Sequence, residues 1–325
     1  MFAHASTPPK GASPTPPRRL LHLMTQLAAA LAGGLAPVVA SGIIILDDTW
    51  REEGGAPGKE WAGFSAHETL AAQPQFAGVL SFATRNGKWG EASGTWLGND
   101  ERHAYVLTAA HIYEGIPADP REYSLRDGNG NEFQPDKLWM HPLWNRDLNL
   151  REGYDLAILR IPRPLANLGE PPLLYTGSGE HGQLLTFVGY GNRGIGSLGE
   201  DERYSAQASK TAAQGVVDGW ADLDHNAAKD ESAGNYLGIY LAREDGSLEN
   251  PLGGDARPRS RLAGLLGSGD SGGPAWMQVR GQWVLVGVSS NGVGSARYGD
   301  TSWFVRVSPH QAWIRNIFPG ARFTE

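Results

Sequence analysis

Three short motifs carry the residue types that catalysis by a hydroxyl nucleophile needs. They are LTAAH at 107–111, YDLAIL at 154–159 and GDSGGP at 269–274. Attack by a serine hydroxyl requires a base that takes its proton, a carboxylate that fixes the tautomer of the base, and donors for the developing oxyanion. His111, Asp155 and Ser271 are therefore candidates for the base, the orienting carboxylate and the nucleophile.

The local sequence around each candidate suits its role. Small residues precede His111 at the end of a strand pattern, so an imidazole there meets little obstruction, and Asp155 stands directly before an apolar strand. Glycines around Ser271 permit a tight backbone path, on which the N–H groups of Gly269 and Ser271 could converge on an oxyanion. Each motif alone also has an ordinary explanation as a strand end or a turn. Their combination is what favours catalysis.

The three motifs, in this order, resemble the signature motifs of the trypsin/chymotrypsin family of serine proteases. His111 and Asp155 are 44 residues apart, which is typical of that family. The interval from Asp155 to Ser271 is longer than usual, and the polar stretch 199–261 explains the excess. Two further segments resemble the family, FVGYGN at 187–192 and GVSSNG at 287–292, so the resemblance spans roughly residues 65 to 320.

This resemblance implies an all-β fold of two six-stranded antiparallel β-barrels with the active site between them and a C-terminal α-helix. It also implies a serine endopeptidase that works through an acyl-enzyme, with no cofactor and no metal. His111 would act as base and then acid, Asp155 would orient it, and Ser271 would attack. The N–H groups of Gly269 and Ser271 would form the oxyanion hole, and Ser290 would hydrogen-bond near Asp155 and the substrate backbone.

The substrates implied are proteins or peptides, and two positions bear on which side chains fit. Leu265, six residues before Ser271, stands at the expected base of the primary specificity pocket, and Gly292 belongs to the strand expected to line the substrate groove. Because no aspartate stands at that base, a preference for arginine or lysine loses its electrostatic support. We therefore expect apolar or small side chains before the scissile bond.

The sequence departs from the family at the expected start of the mature chain. In activated members a newly exposed N-terminal isoleucine or valine ammonium pairs with the aspartate before the nucleophile, here Asp270. Counting back from the first strand places that terminus near Ser65, where the sequence GFSAH at 63–67 offers no such motif. The family's disulfides are also missing, since the chain has 0 Cys. The partner of Asp270 and the activation step stay open at this point.

Short strand patterns dominate the chain from residue 76 onward. Apolar, β-branched or aromatic runs bounded by turn residues occur at 76–82, 104–108, 156–161, 184–189, 283–288 and 303–307. Strands spaced in this way without amphipathic helices between them favour antiparallel barrels. The stretch 308–318 carries helix signals, with Ser308 as a possible cap. We assign 65–325 to one peptidase domain, with an N-terminal barrel over about 65–180 and a C-terminal barrel and helix over about 181–325.

The first 46 residues have a different composition from the remainder. They hold no Asp or Glu, they begin with positive charge at Lys10, Arg18 and Arg19, and an apolar run extends from Leu20 to about residue 46. This pattern predicts a signal peptide or signal anchor over 1–40, with cleavage near Ala40, and therefore a secreted or periplasmic protein. The acidic, glycine-rich residues that follow predict a linker or propeptide over 41–64.

Composition and charge exclude several classes of partner. A formal net charge of −7 without a basic patch argues against nucleic acid. Apart from a possible N-terminal anchor, no membrane partner is indicated, and we expect a monomer. The loop DGNGNE at 127–132 has alternating oxygen ligands, but it lacks the acidic residues of a strong calcium site, so a solvated turn is favoured.

Two other functions compete with a protease. GDSGG also fits the nucleophile elbow of an α/β-hydrolase esterase, with Asp300 and His310 following in the required order. That fold requires alternating strands and helices, which the sequence lacks, and it leaves the LTAAH and YDLAIL motifs unexplained. The second alternative is a protease-like binding module that has lost activity, although all three candidate catalytic residues are present.

Overall fold

The computed structural model describes residues 43–113, 119–144, 153–205, 209–221 and 235–325. The predicted leader, residues 1–40, lies outside this part of the chain. Among the described residues, no helix is both long enough and apolar enough to cross a membrane.

The N-terminal half forms one curled antiparallel sheet. Its strands are β2 (Val79–Thr84), β3 (Ala92–Asn99), β4 (Ala104–Thr108), β5 (Tyr123–Arg126), β6 (Glu132–Phe133), β7 (Lys137–Met140) and β8 (Ala157–Ile161). They are ordered β6-β5-β2-β3-β4-β8-β7. The strands are short, and their buried faces close around an apolar cluster that includes Leu80, Phe82, Val106 and Leu159.

The C-terminal half forms a second curled sheet. Its strands are β9 (Leu173–Tyr175), β10 (Leu184–Gly189), β13 (Thr211–Val216), β14 (Gly219–Ala221), β15 (Tyr236–Tyr240), β17 (Pro274–Val279), β18 (Gln282–Val293), β19 (Thr301–Arg306) and β20 (Arg322–Thr324). The main path is β13-β10-β17-β18-β19-β15-β14, and β9 joins β18 and β20 by parallel pairing. A second apolar cluster draws residues from both halves, such as Leu107 and Ile158 from the first and Val188 and Trp276 from the second.

The prediction of an all-β fold with two antiparallel barrels and a C-terminal helix is confirmed. Within the described residues the main path of each sheet has seven strands, not six, because short pieces such as β6 and β14 extend the ladders at their edges. The C-terminal helix α3 (Gln311–Ile317) follows a 3-10 turn, Ser308–His310. Ser308 does not cap this helix. It lies inside the 3-10 turn, whose N-cap residue is Val307, and no side chain caps that turn.

The described part of the segment predicted as a linker or propeptide, residues 43–64, is folded. Residues 43–46 are at most 3 % exposed, and they contain strand β1 (Ile44–Ile45). β1 lies between β11 (Gly194–Ile195) and β16 (Gly264–Leu265), in a small sheet completed by β12 (Gly199–Glu200). The acidic stretch that follows folds as short helical pieces, α1 (Asp47–Glu52) and the 3-10 turn Glu60–Phe64, before helix α2 (Ser65–Ala71). Because these pieces are short, the sequence shows no clear hydrophobic periodicity there.

Candidate active site

His111, Asp155 and Ser271 come together in one hydrogen-bonded row. Nε2 of His111 lies 2.8 Å from Oγ of Ser271, and Nδ1 of His111 lies 2.7 Å from Oδ2 of Asp155. The Asp155 side chain is fully buried, whereas 23 % of the His111 side chain is exposed. The row therefore runs from a buried carboxylate outward to a hydroxyl that a substrate can reach.

The register of two neighbouring strands brings His111 next to Asp155. β4 and β8 pair antiparallel, with Thr108 at the end of one strand opposite Ala157 at the start of the other. His111 follows β4 by three residues and begins a 3-10 turn, and Asp155 precedes β8 by two. Because the strands are antiparallel, the end of one and the start of the other meet at the same edge of the sheet. Ser271 comes from the other half of the molecule, three residues before β17.

The carboxylate of Asp155 accepts three short hydrogen bonds. Its donors are the backbone N–H of His111 at 2.7 Å, Nδ1–H of His111 at 2.7 Å and the hydroxyl of Ser290 at 2.6 Å. Since an ionised carboxylate only accepts hydrogen bonds, the proton of the neutral imidazole lies on Nδ1, and the lone pair of Nε2 faces Ser271. Ser290 reaches Asp155 from β18, at the position where the β18–β19 register shifts. Such a bulge re-aims a side chain.

The turn that carries Ser271 requires glycine at two positions. Gly269 has φ +90° and Gly272 has φ +82°, and a Cβ atom on Gly269 would lie 2.2 Å from the carbonyl oxygen of Gly90. Ser93 on β3 fixes the turn from the N-terminal sheet. Its N–H donates to the carbonyl of Ser271 at 2.9 Å, and its hydroxyl donates to the carbonyl of Gly269 at 3.1 Å. Sequence reasoning missed Ser93, because a serine inside a strand carries no pattern of its own.

The N–H groups of Gly269 and Ser271 have no acceptor within the described part of the chain. Both are backbone donors in the turn next to the Ser271 hydroxyl. Unpaired donors at such a place are available to an oxygen that becomes negative during attack at Ser271.

Asp270, between these two donors, is almost completely buried, with 1 % of its surface exposed. Its carboxyl accepts the N–H of Gly191 at 3.3 Å and the N–H of Gly267 at 3.2 Å. Burial raises the pKa of Asp270 to about 7, against the lowering effect of these two hydrogen bonds. Among the described residues, no cationic group lies within 4 Å of this carboxylate, so the contact that the family resemblance implies for Asp270 is not formed by them.

Two of the three candidates for substrate contact, Leu265 and Gly292, differ in placement. Leu265 in β16 is 1 % exposed, pairs with Ile44 and packs in the apolar core of the C-terminal half. Gly292 on β18 is exposed, and a Cβ atom there would meet the carbonyl oxygen of Thr301 at 3.5 Å and the hydroxyl of Ser302 at 3.9 Å. Gly292 therefore lies on an open surface, whereas Leu265 lies in the core.

The residues of the esterase alternative do not gather around Ser271. The carboxylate of Asp300 accepts N–H groups of its own loop, from Ser295 and Arg297. His310 is buried against His141, with their ring centroids 5.0 Å apart. Together with the antiparallel sheets, these contacts exclude a nucleophile elbow. The carboxylate of Asp127 in the loop considered for calcium accepts hydrogen bonds from residues 129 and 131 of that same loop.

Comparison with known proteins places the chain among serine proteases. A family model described as Trypsin matches residues 74–232. Chymotrypsin-like elastase family member 1 of Homo sapiens is 26 % identical over 266 residues, which cover 77 % of this chain and 90 % of that protein. The Felis catus protein of the same name is 28 % identical, with 71 % and 80 % covered. Vitamin K-dependent protein C of Oryctolagus cuniculus is 25 % identical over 66 % of this chain and 44 % of its own length. The chain belongs to the trypsin/chymotrypsin family of serine proteases and is a serine-type endopeptidase.

Proposed function

We propose that His111, Asp155 and Ser271 are the catalytic triad of this endopeptidase. Nε2 of His111 takes the proton of the Ser271 hydroxyl while Oγ attacks the carbonyl carbon of the scissile bond. The same proton then passes from Nε2 to the leaving amine, and an acyl-enzyme remains on Ser271. Water attacks this ester with His111 again as the base, and the proton returns to Ser271 as the acid product leaves. These roles are those of the well-characterised triad of this family.

Asp155 and the turn at 269–271 supply the electrostatics of the proposed reaction. The buried carboxylate of Asp155 keeps the proton of His111 on Nδ1 and stabilises the imidazolium that forms during attack. We assign the oxyanion hole to the N–H groups of Gly269 and Ser271, which are unpaired among the described residues. The observation that carries the proposal is the continuous row from Asp155 through His111 to Ser271, with hydrogen bonds of 2.7 and 2.8 Å.

Labelling with a fluorophosphonate probe tests the triad. We expect one adduct on the full chain, located at Ser271 by mass spectrometry, because only an activated hydroxyl attacks this probe rapidly. Ser271→Ala should abolish labelling, and Ser295→Ala, which removes an exposed hydroxyl from the loop after β18, should leave it unchanged. Folded protein that takes no label would contradict the triad and favour the binding-module alternative.

A fluorophosphonate probe also tests whether the protein acts outside the cytoplasm. We propose that the protein acts outside the cytoplasm as a monomer on protein or peptide substrates, and that residues 1–40 direct its export. The apolar run and the positive start of this segment support export. A membrane-impermeant fluorophosphonate should therefore label Ser271 in intact expressing cells. Labelling only after the cells are lysed would contradict export.

We propose that the enzyme prefers apolar or small side chains before the scissile bond. Leu265 and Leu266 stand at the expected base of the specificity pocket, at 1 % and 8 % exposure, and neither can pair with a cationic substrate side chain. Desolvating an arginine or lysine there would lack compensation.

Gly292→Val is expected to narrow this preference toward small side chains. A Cβ atom at Gly292 meets only ordinary contacts, at 3.5 Å or more, so the fold should tolerate the change while the added methyl groups fill the groove. We expect kcat/KM for peptides with leucine or phenylalanine before the scissile bond to fall about tenfold or more relative to alanine. A peptide-library digest of both proteins measures this ratio. Dominant cleavage after arginine or lysine by the unaltered enzyme would contradict the proposed preference.

A further inference from the structure

Three loops of the C-terminal half meet at the side chain of Tyr298. Its own loop, residues 294–300, joins β18 to β19, and these two strands pair Gly292 with Ser302. The hydroxyl of Ser302 accepts the N–H of Leu266, at the expected base of the specificity pocket, at 3.0 Å. The loop that carries Tyr298 is therefore continuous with two strands that border this pocket.

Tyr298 is bonded to the segment that follows β1. Its hydroxyl oxygen accepts the N–H of Asp47 at 2.7 Å, and the buried carboxylate of Asp47 accepts the N–H of Ser197 at 2.9 Å. β1 itself pairs Ile44 with Leu265, and Tyr298 packs against the apolar cluster that contains both of these residues. The same segment thus contacts the base of the expected pocket and the loop beside it.

The ring of Tyr298 lies directly on the backbone of the loop between β11 and β12. The N–H of Tyr298 donates to the carbonyl oxygen of Gly196 at 2.8 Å, and the N–H of Gly196 donates to the carbonyl oxygen of Ile45 at 2.9 Å. A Cβ atom on Gly196 would lie 2.4 Å from a ring carbon of Tyr298. Any side chain at Gly196 would displace the ring, so the sequence keeps this approach close.

The third loop reaches Tyr298 through Glu244, which follows β15. The hydroxyl of Tyr298 donates to Oε1 of Glu244 at 2.6 Å, and the same oxygen accepts the N–H of Asp48 at 3.2 Å. A hydrogen bond to a charged group contributes more than one between neutral groups. A phenylalanine at position 298 would lose this bond and would also leave the N–H of Asp47 without its acceptor.

We propose that Tyr298 is a positioning residue for substrate binding, whose hydroxyl and ring hold the loops around the specificity pocket against the segment after β1, so that the pocket is formed before a substrate enters. A pocket formed in advance spares the substrate the entropy of ordering these loops. The contacts of Tyr298 described above are with the loops and not with the triad. The proposal rests on the proposed function, since it assumes that Ser271 cleaves a peptide whose side chain enters this pocket.

Steady-state kinetics on the full chain tests this role, with a peptide anilide that carries leucine before the scissile bond. In Tyr298→Phe we expect KM to rise about tenfold, the effect of losing one hydrogen bond to a charged group. We expect kcat to change less than about twofold, because loosened loops weaken binding without moving the triad. The rate at which a small dialkyl fluorophosphonate, which carries no side chain for the pocket, labels Ser271 should also change less than about twofold.

Tyr240→Phe is the matched control. Tyr240 ends β15, four residues before Glu244, and its side chain is 7 % exposed. Its hydroxyl has no hydrogen-bond partner in the part of the chain that the structure describes. Removing this hydroxyl should leave KM, kcat and the labelling rate unchanged.

Two substitutions at Glu244 test the bond from its other end. Glu244→Gln keeps an oxygen for the hydroxyl of Tyr298, so KM should rise less than about threefold. Glu244→Ala removes that acceptor, so its KM should match that of Tyr298→Phe. The double variant Tyr298→Phe with Glu244→Ala should have a KM little higher than either single variant, because both changes remove the same bond.

An unchanged KM in Tyr298→Phe would overturn the proposal, and so would a fall in kcat and labelling with KM unchanged, or an equal rise of KM in Tyr240→Phe. If Tyr298→Phe does not fold, Glu244→Ala decides, and an unchanged KM there overturns the proposal. Absence of both hydrolysis and labelling in the unaltered protein would instead contradict the proposed function itself, so the two failures are distinguishable.

Discussion

Asp155→Asn is expected to lower kcat by about four orders of magnitude while the protein stays folded. The carboxylate of Asp155 accepts all three of its hydrogen bonds, two from His111 and one from Ser290. An asparagine in this fully buried position must turn its NH2 group toward one of them. If it faces His111, the imidazole carries its proton on Nε2 and cannot accept the proton of Ser271. The magnitude is that of the same change in the well-characterised triad of this family.

Steady-state kinetics on an apolar peptide ester or anilide, with titration of active sites, measures this loss. Ser290→Ala is the matched control, because it removes one donor to the same carboxylate without changing the tautomer of His111. We expect it to reduce kcat by only about tenfold, the loss of a single hydrogen bond to a charged group. Equal losses in the two variants would mean that Asp155 acts through its hydrogen-bond count, not through the tautomer of His111.

The sequence was sufficient to select the residues of the candidate site but not to show how they meet. The motifs LTAAH and YDLAIL predicted that His111 follows one strand and that Asp155 precedes another. That these strands pair with each other, with Thr108 opposite Ala157, depends on long-range register, for which no nearby residue is a signal. Ser93 was missed for the same reason: its two bonds to the carbonyls of Ser271 and Gly269 cross between the two sheets.

The fold class was predictable because it depends on local periodicity, whereas the burial of residues 43–46 was not. Residues 43–46 continue the apolar run of the predicted leader without a break in composition. Hydrophobicity alone cannot distinguish a strand buried in a barrel from the end of an apolar leader, since both consist of the same residue types. The contacts on either side of β1, with Gly194–Ile195 and Gly264–Leu265, distinguish them.

The burial of Arg193 could not be predicted from the sequence either. Its side chain is 1 % exposed and donates a hydrogen bond to Glu68. Nothing in the sequence indicates which of the 28 Lys and Arg residues is buried, because such side chains are almost always exposed unless paired. The partner of Arg193, Glu68, lies 125 residues earlier in the chain, on helix α2. Only the packing of this helix against the C-terminal sheet explains the burial.

Ile44→Ala is expected to destabilise the whole C-terminal half and to slow labelling of Ser271. Ile44 is 0 % exposed, and β1 pairs on one side with Leu265, in the segment that leads into the catalytic turn. Truncating a buried isoleucine costs about 2–5 kcal/mol of the free energy of unfolding. That is a large part of the about 5–15 kcal/mol that stabilises a typical protein. We expect the melting temperature to fall by roughly 5–15 °C.

Thermal unfolding followed by circular dichroism, with the labelling rate measured at the same temperatures, provides the comparison. Leu143→Ala is the control: it makes a similar truncation at a side chain that is 55 % exposed, so its effect should stay within about 0.5 kcal/mol.

The pair of variants distinguishes a buried strand from a linker, because a residue in a linker should behave as Leu143 does. If Ile44→Ala melts like the unaltered protein, residues 43–46 contribute nothing to the barrel, and that result would favour the linker interpretation. A large loss of stability with parallel slowing of labelling means that β1 supports the catalytic turn, and that processing within residues 43–46 would inactivate the enzyme.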